Sequence, residues 1–219
     1  IVHSENFGRS LLNSIKNLEY RGYDSCGVAV LQNGKIDLRK NIGGIDEVNM
    51  KERLDQMQGK IGIAHTRWAT HGGVTRENAH PHLSTDRKFA VVHNGIIENY
   101  LELTEKLIKD GYTFQSETDS EVIAHLLHQH FQSSGDLLAA MHNVVKELDG
   151  AYAIAAIHIN DKSRLIVARN KSPLLIGIGL EENFAASDPL ALSQLTNEFV
   201  FLEDAFELHG TCEAFINFL

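Results

Sequence analysis

With 219 residues, 43% of them hydrophobic and 22% charged, the chain has ordinary globular composition and enough apolar material for a core. Its net charge of −9 and singly scattered Lys and Arg exclude a cationic nucleic-acid face, and no apolar run approaches the roughly 18–20 residues that cross a bilayer. Two cysteines far apart in sequence make no disulfide framework, and no charged-then-apolar leader opens the chain, so a reducing, cytoplasmic compartment is expected.

Leu11, Leu12, Ile15 and Leu18 share one face and predict a first helix, ending near Arg21 with Gly22 as a left-handed cap. A hairpin follows, Gly27 to Leu31 and Lys35 to Arg39 around Asn33-Gly34, the strongest short hairpin signal. Ile61 to Thr66 and Phe89 to His93 read as short apolar strands, each running into a polar block. Between them Arg67 to Lys88 has no period, and a loop of about 20 residues usually serves binding or closure. Helices are predicted over Glu98 to Asp110, Thr118 to Gln132 and Asp136 to Leu148, the second opened by a Thr118-x-x-Glu121 capping box. Strands follow at Tyr152 to His158, Arg164 to Ala168, Leu174 to Ile178 and Phe184 to Ala186. A short helix opens at Ser187-Asp188-Pro189 and runs through Leu195, and a last strand covers Phe199 to Leu202. With no repeat or linker, residues 1–219 are expected to form one α+β domain of two sheets with helices packed on them.

Three blocks carry chemistry: HTRWATHG (His65 to Gly72), HNGIIEN (His93 to Asn99) and SETDSEV (Ser116 to Val122). Polar groups gathered beside apolar runs are costly to desolvate and mark a site. Arg67, with Thr70 and His71 close by, offers a fork for a carboxylate; equally, it ties down the loop, with Trp68 as an anchor. Asn94-Gly95 reads most simply as a turn, and alternatively as an oxyanion hole built from the Asn94 amide and the Gly95 N–H. Asp119 is expected at the first helical position, favoured by the helix dipole, and is also able to hold an ammonium. Neither His80 and His82 nor His125, His128 and His130 have a recognisable zinc spacing, so no metal is expected. Cys26 reads as a buried, inert thiol.

In this order the blocks resemble the glutaminase domain of the glutamine–fructose-6-phosphate aminotransferases (glucosamine-6-phosphate synthases), a type II glutamine amidotransferase. The resemblance runs from LEYRGYDS (Leu18 to Ser25) through TRWATHG, NAHPH (Asn78 to His82), HNGIIEN, GYTFQSETDSEVIAHL (Gly111 to Leu126) and ASDPLAL (Ala186 to Leu192) to FLED (Phe201 to Asp204). It implies a four-layer αββα sandwich of the N-terminal-nucleophile hydrolase type, which turns L-glutamine into glutamate and ammonia without a cofactor. An N-terminal Cys would attack, with its own α-amine as base. By the same resemblance Arg67 holds the substrate α-carboxylate, with Thr70 and His71 lining its pocket, and Asp119 holds the α-ammonium. Asn94 and Gly95 form the oxyanion hole, Trp68 belongs to the closing loop, and Arg21 supports the site near the nucleophile. Implied partners are C-terminal sugar-phosphate isomerase domains and, for the full-length enzyme, further copies of itself.

The chain departs from this pattern at both ends. It begins Ile1-Val2-His3 where the family begins Cys-Gly-Ile-(Val/Ile)-Gly, and Ala205-Phe206-Glu207 follow FLED directly. The physical polypeptide is therefore expected to carry Cys-Gly ahead of Ile1. The alternative is a catalytically inactive glutamine- or glutamate-binding module that regulates a partner.

Overall fold

Helix α1 (Phe7–Lys16) forms on the expected stripe and buries Phe7, Leu11, Leu12 and Ile15. In the computed structural model, which describes residues 7–180 and 182–202 and the backbone of 212–217, Leu18 lies beyond its end. A 3-10 turn at Glu19–Arg21 follows, and Gly22 is extended at φ −179, which corrects the left-handed cap expected there. Gly22 is required by space instead: a Cβ would stand 2.7 Å from the Arg67 carbonyl carbon.

Strands β1 (Ser25–Gln32) and β2 (Lys35–Ile42) make the expected hairpin, with Asn33 and Gly34 both at positive φ, as a type I′ turn demands. Helix α2 (Ile45–Glu52) was not expected; it buries Ile45 and Val48 and leaves Met50 exposed, too short a stripe to read as a helix. Strand β3 (Gly62–Arg67) pairs with β1. The long loop is interrupted only by the two-residue β4 (His82–Leu83), which pairs with β5 (Phe89–Ile97). That strand continues straight through Asn94-Gly95, in unbroken register with Ala153 and Tyr152. The turn reading of Asn94-Gly95 is thereby overturned.

Helices α3 (Tyr100–Lys109), α4 (Glu121–Ser134) and α5 (Leu137–Glu147) stand where the periodicity placed them, and Asp136 caps α5 by accepting the Ala139 N–H at 2.8 Å. The capping box is a correction. Helix α4 begins at Glu121 with Ser120 as N-cap and no side-chain cap bond, so Asp119 lies before the helix rather than at its first position. The Glu121 carboxylate reaches back to the N–H groups of Gln115 and Ser116 and to the Ser116 hydroxyl. It fixes the approach of the SETDS segment rather than the helix end.

Strands β6 (Gly150–His158), β7 (Arg164–Asn170), β8 (Leu175–Ile178), β9 (Asn183–Ala186) and β10 (Glu198–Phe201) match the expected strands. The expected helix after Asp188 is a 3-10 turn, Pro189–Leu192, capped by Asp188 on the Leu190 N–H. A further strand, β11 (Cys212–Asn217), was not anticipated. The expectations for Ile1-Val2-His3, for Glu203 to Glu207 and for the Cys212 side chain lie outside the described residues.

Among the described residues β11-β7-β6-β5-β4 form one sheet, while β2-β1-β3 and β10-β8-β9 form two three-stranded groups. Side-chain alternation shows the layering. Tyr152, Ile154 and Ala156 of β6 face a core shared with α3, α4 and α5, whereas Ala153 and Ile157 face Ala29 of β1 and Ile63 of β3. Val28 and Val30 of β1 point the other way, onto Leu11 and Ile15 of α1 and Val48 of α2. Helices, sheet, sheet, helices is the αββα order.

Candidate active site

Strand ends of the two facing sheets open into a cavity of about 450 Å³. All eight residues singled out in the sequence line it: Arg21, Arg67, Trp68, Thr70, His71, Asn94, Gly95 and Asp119. Consecutive residues Gly62 to Arg67 of β3 and Phe184 to Ser187 at β9 also line it, although their side chains alternate. The cavity therefore runs along the edges of both strands. Apolar Leu11, Ile15, Ile63, Leu174 and Leu192 line it together with these polar groups.

Arg67 ends β3 and is only 5% exposed. One guanidinium nitrogen donates to the Gly73 carbonyl at 3.1 Å and the other to the His71 carbonyl. Both readings of Arg67 are thus compatible: it ties the loop, and three of its five N–H donors are left for a ligand. Burial lowers its pKa, opposed by Asp24 and Asp119, but a guanidinium stays charged. The Asp24 carboxylate also accepts the Ala69 N–H at 2.7 Å, pinning the loop beyond Trp68. Trp68 is 56% exposed and meets Tyr23 edge-on at 5.5 Å, which puts it at the mouth rather than in the core. His71 packs edge-on against Tyr100 at 5.9 Å, and Thr70 lies exposed beside it.

Asp119, 5% exposed, accepts the Ile97 N–H at 2.8 Å through Oδ2, and the Ser120 hydroxyl approaches Oδ1 at 3.4 Å. Arg67 and Asp119 thus set a cation and an anion in one pocket. Arg21 also lines the cavity, 3.4 Å from the Ser187 hydroxyl and 3.8 Å from Asp188.

Strand β5 supplies the donors. The His93 N–H goes to His80 Nδ1 at 3.4 Å and the Ile97 N–H to Asp119, both away from β6, while the Glu98 N–H goes to Asp149. Alternation along the continuous ladder then turns the Gly95 N–H to the same side as those of His93 and Ile97, into the cavity. At φ 130 Gly95 occupies backbone space that L side chains rarely adopt, and a Cβ would collide with the Ala151 carbonyl oxygen. Beside it the Asn94 amide oxygen is held by His65 Nε2 at 2.7 Å.

Sequence reasoning missed the imidazoles behind this pair. His65 stacks on His80 at 4.2 Å, His80 meets His82 edge-on at 4.6 Å, and His93 Nδ1 lies 2.9 Å from the Ser120 hydroxyl. HTR, NAHPH and HNG were the signal, but no spacing rule brings their histidines together. Burial pushes His65 and His93 down to about 4 and His80 and His82 well below their ordinary 6.5. All four are neutral at pH 7. The unfolded chain binds their protons from pH 6.5 downward, while burial makes the folded chain resist well below that, so acid favours unfolding. Urea denaturation is expected to show a fall in stability from pH 6.5 to 5, by up to about 1.4 kcal/mol per pH unit for each histidine. Equal stability at pH 7.5 and 5 would contradict the neutral cluster.

His128 and His130 each face a different carboxylate, Asp86 at 3.3 Å and Glu147 at 2.6 Å, and among the described residues no three His, Cys, Asp or Glu converge as metal ligands. Cys26 is buried on β1 and its thiol is pushed up to about 12 by burial, so the inert reading stands. No described helix is long and apolar enough to cross a membrane.

Residues 65–194 match the family described as the glutamine amidotransferase domain. Over 204 residues the chain is 52% identical to the glutamine–fructose-6-phosphate aminotransferase (isomerizing) of Pseudomonas putida, covering 93% of this chain and 33% of that protein. The corresponding protein of Methanosarcina mazei is 49% identical, with 89% and 32% covered. The chain spans about a third of the length of these curated relatives. Among solved structures it is similar to the glutamine phosphoribosylpyrophosphate amidotransferase of B. subtilis, with TM-score 0.74, 26% identity and coverage of 100% of this chain and 48% of the other. A glutamine aminotransferase class-II domain protein from Silicibacter pomeroyi shares the fold at TM-score 0.56 and 17% identity. These neighbours bear out the expected N-terminal-nucleophile hydrolase fold.

Proposed function

This chain belongs to the glutamine amidotransferase domain family, and from that premise we propose that its cavity hydrolyses L-glutamine to glutamate and ammonia. The observation that carries the proposal is the convergence of a buried cation, a buried anion and a paired N–H donor site in one cavity. The free donors of Arg67 take the α-carboxylate, and Asp119 takes the α-ammonium. Thr70 and His71 line that end, and Trp68 closes over it. The Gly95 N–H and the Asn94 amide point at the oxygen of the side-chain amide, where a tetrahedral adduct gathers negative charge.

None of these groups is a nucleophile, and Cys26 is buried with a raised pKa. In this reading an N-terminal cysteine attacks, as in the family, and Arg21 supports the site near it. Its Sγ bonds to the amide carbon, and its α-amine moves the thiol proton onto the departing nitrogen. The C–N bond breaks to give ammonia, and water then cleaves the thioester to glutamate. The proposal extends to the longer relatives: ammonia passes to sugar-phosphate isomerase domains in an oligomeric, cytoplasmic enzyme that aminates fructose 6-phosphate.

Asp119→Asn tests the substrate pose. Asparagine still accepts the Ile97 N–H, so the fold is expected to survive, while the partner of the α-ammonium loses its charge. KM for glutamine is expected to rise at least about tenfold with thermal stability nearly unchanged. Loss of the fold instead would make Asp119 structural. Unchanged KM would remove it from the pocket.

A further inference from the structure

The bond between His65 and Asn94 joins two strands that share no ladder. His65 lies on β3, in the β2-β1-β3 group, and Asn94 on β5, in the other sheet. We infer that His65 is a positioning residue of the donor pair, its ring N–H holding the Asn94 amide so that the NH2 faces the cavity. The inference rests on the proposed glutamine hydrolysis, because it assigns the Asn94 NH2 to the amide oxygen of that substrate.

An amide side chain has two faces that differ only in oxygen and NH2, and unassisted it can present either. At Asn94 the oxygen lies 2.7 Å from His65 Nε2. A carboxamide oxygen only accepts, so Nε2 carries the hydrogen and the NH2 is left over for the cavity. The ring is itself held, stacked at 24° on His80, whose Nδ1 accepts the His93 N–H next to Asn94 in sequence. Two imidazoles and one strand thus fix a single amide orientation. Neutrality matters as well. A second cation at this depth would oppose Arg67, whereas burial keeps the His65 imidazole uncharged at pH 7.

The test compares His65→Phe, His65→Gln, Asn94→Ala and the double variant His65→Phe/Asn94→Ala in the natural full-length protein. Phenylalanine keeps a ring to stack on His80 but donates nothing, while glutamine restores an N–H donor. For His65→Phe, kcat for ammonia release is expected to fall about 10- to 100-fold with KM for glutamine within about threefold. His65→Gln should recover most of that loss. In the Asn94→Ala background His65→Phe should cost little more, because the group it positions is gone. A rise in KM at constant kcat, or independent losses in the double variant, overturns the inference. The crystal structure of His65→Phe gives a reading without turnover: the Asn94 amide turns or becomes disordered if His65 positions it. A turned or disordered amide supports the inference and an unmoved amide refutes it, even should the natural protein release no ammonia and the proposed function fail.

Discussion

Gly95→Ala is expected to cut glutamine turnover about 100-fold or more and to weaken the fold at the same time. The residue sits at φ 130 inside a continuous strand, and its Cα faces the Ala151 carbonyl oxygen across the ladder. A methyl there must push β5 from β6 or flatten the backbone, and either moves the N–H that donates into the cavity. Strain of this kind costs about 1–3 kcal/mol, and displacing an oxyanion-hole donor costs about 100-fold or more in kcat. Gly34→Ala is the control: it has positive φ but nothing within 4 Å of a Cβ, so it should show strain of about 1 kcal/mol and full activity. Urea denaturation and ammonia release from both variants check this, and Gly95→Ala with wild-type kcat would dismiss the N–H from the mechanism.

Arg67→Lys has the second large effect. The guanidinium holds the carbonyls of His71 and Gly73 while keeping donors free for a carboxylate, and a single ammonium cannot serve both directions. The loop through Trp68 and Thr70 should loosen, and glutamine affinity should fall about 100-fold, as expected for losing a bidentate charged pair. Calorimetric titration with glutamine measures the first consequence for function, and limited proteolysis at Val74 to Glu77 measures the loop. Affinity within about twofold of the natural protein would mean that Arg67 serves the loop alone.

What was legible in the sequence was what depends on neighbours along the chain. The hairpin at Asn33-Gly34, the stripe of α1 and the apolar face of α5 all follow from local chemistry and were found. Local reasoning failed where tertiary partners compete. Asn94-Gly95 looks like a turn in isolation, yet pairing with Ala153 and Tyr152 draws it into a strand, and close approach to Ala151 explains the glycine. Thr118-x-x-Glu121 looks like a capping box, yet Glu121 finds better donors at Gln115 and Ser116, and Thr118 lies 3.2 Å from His82. The candidate site residues were named through family resemblance, because Arg67, Asn94 and Asp119 stand on separate strands and loops whose convergence no spacing encodes. The imidazole cluster escaped for the same reason.

The central claim, that this cavity breaks the side-chain amide of glutamine, is tested most directly by incubating the natural full-length protein with L-glutamine and measuring glutamate and ammonia. Equal, catalytic amounts of the two, lost in Asn94→Ala and Gly95→Ala, are expected. Saturable glutamine binding with no ammonia, from a polypeptide whose N-terminal sequence begins with Cys, would instead make the domain a glutamine-binding module.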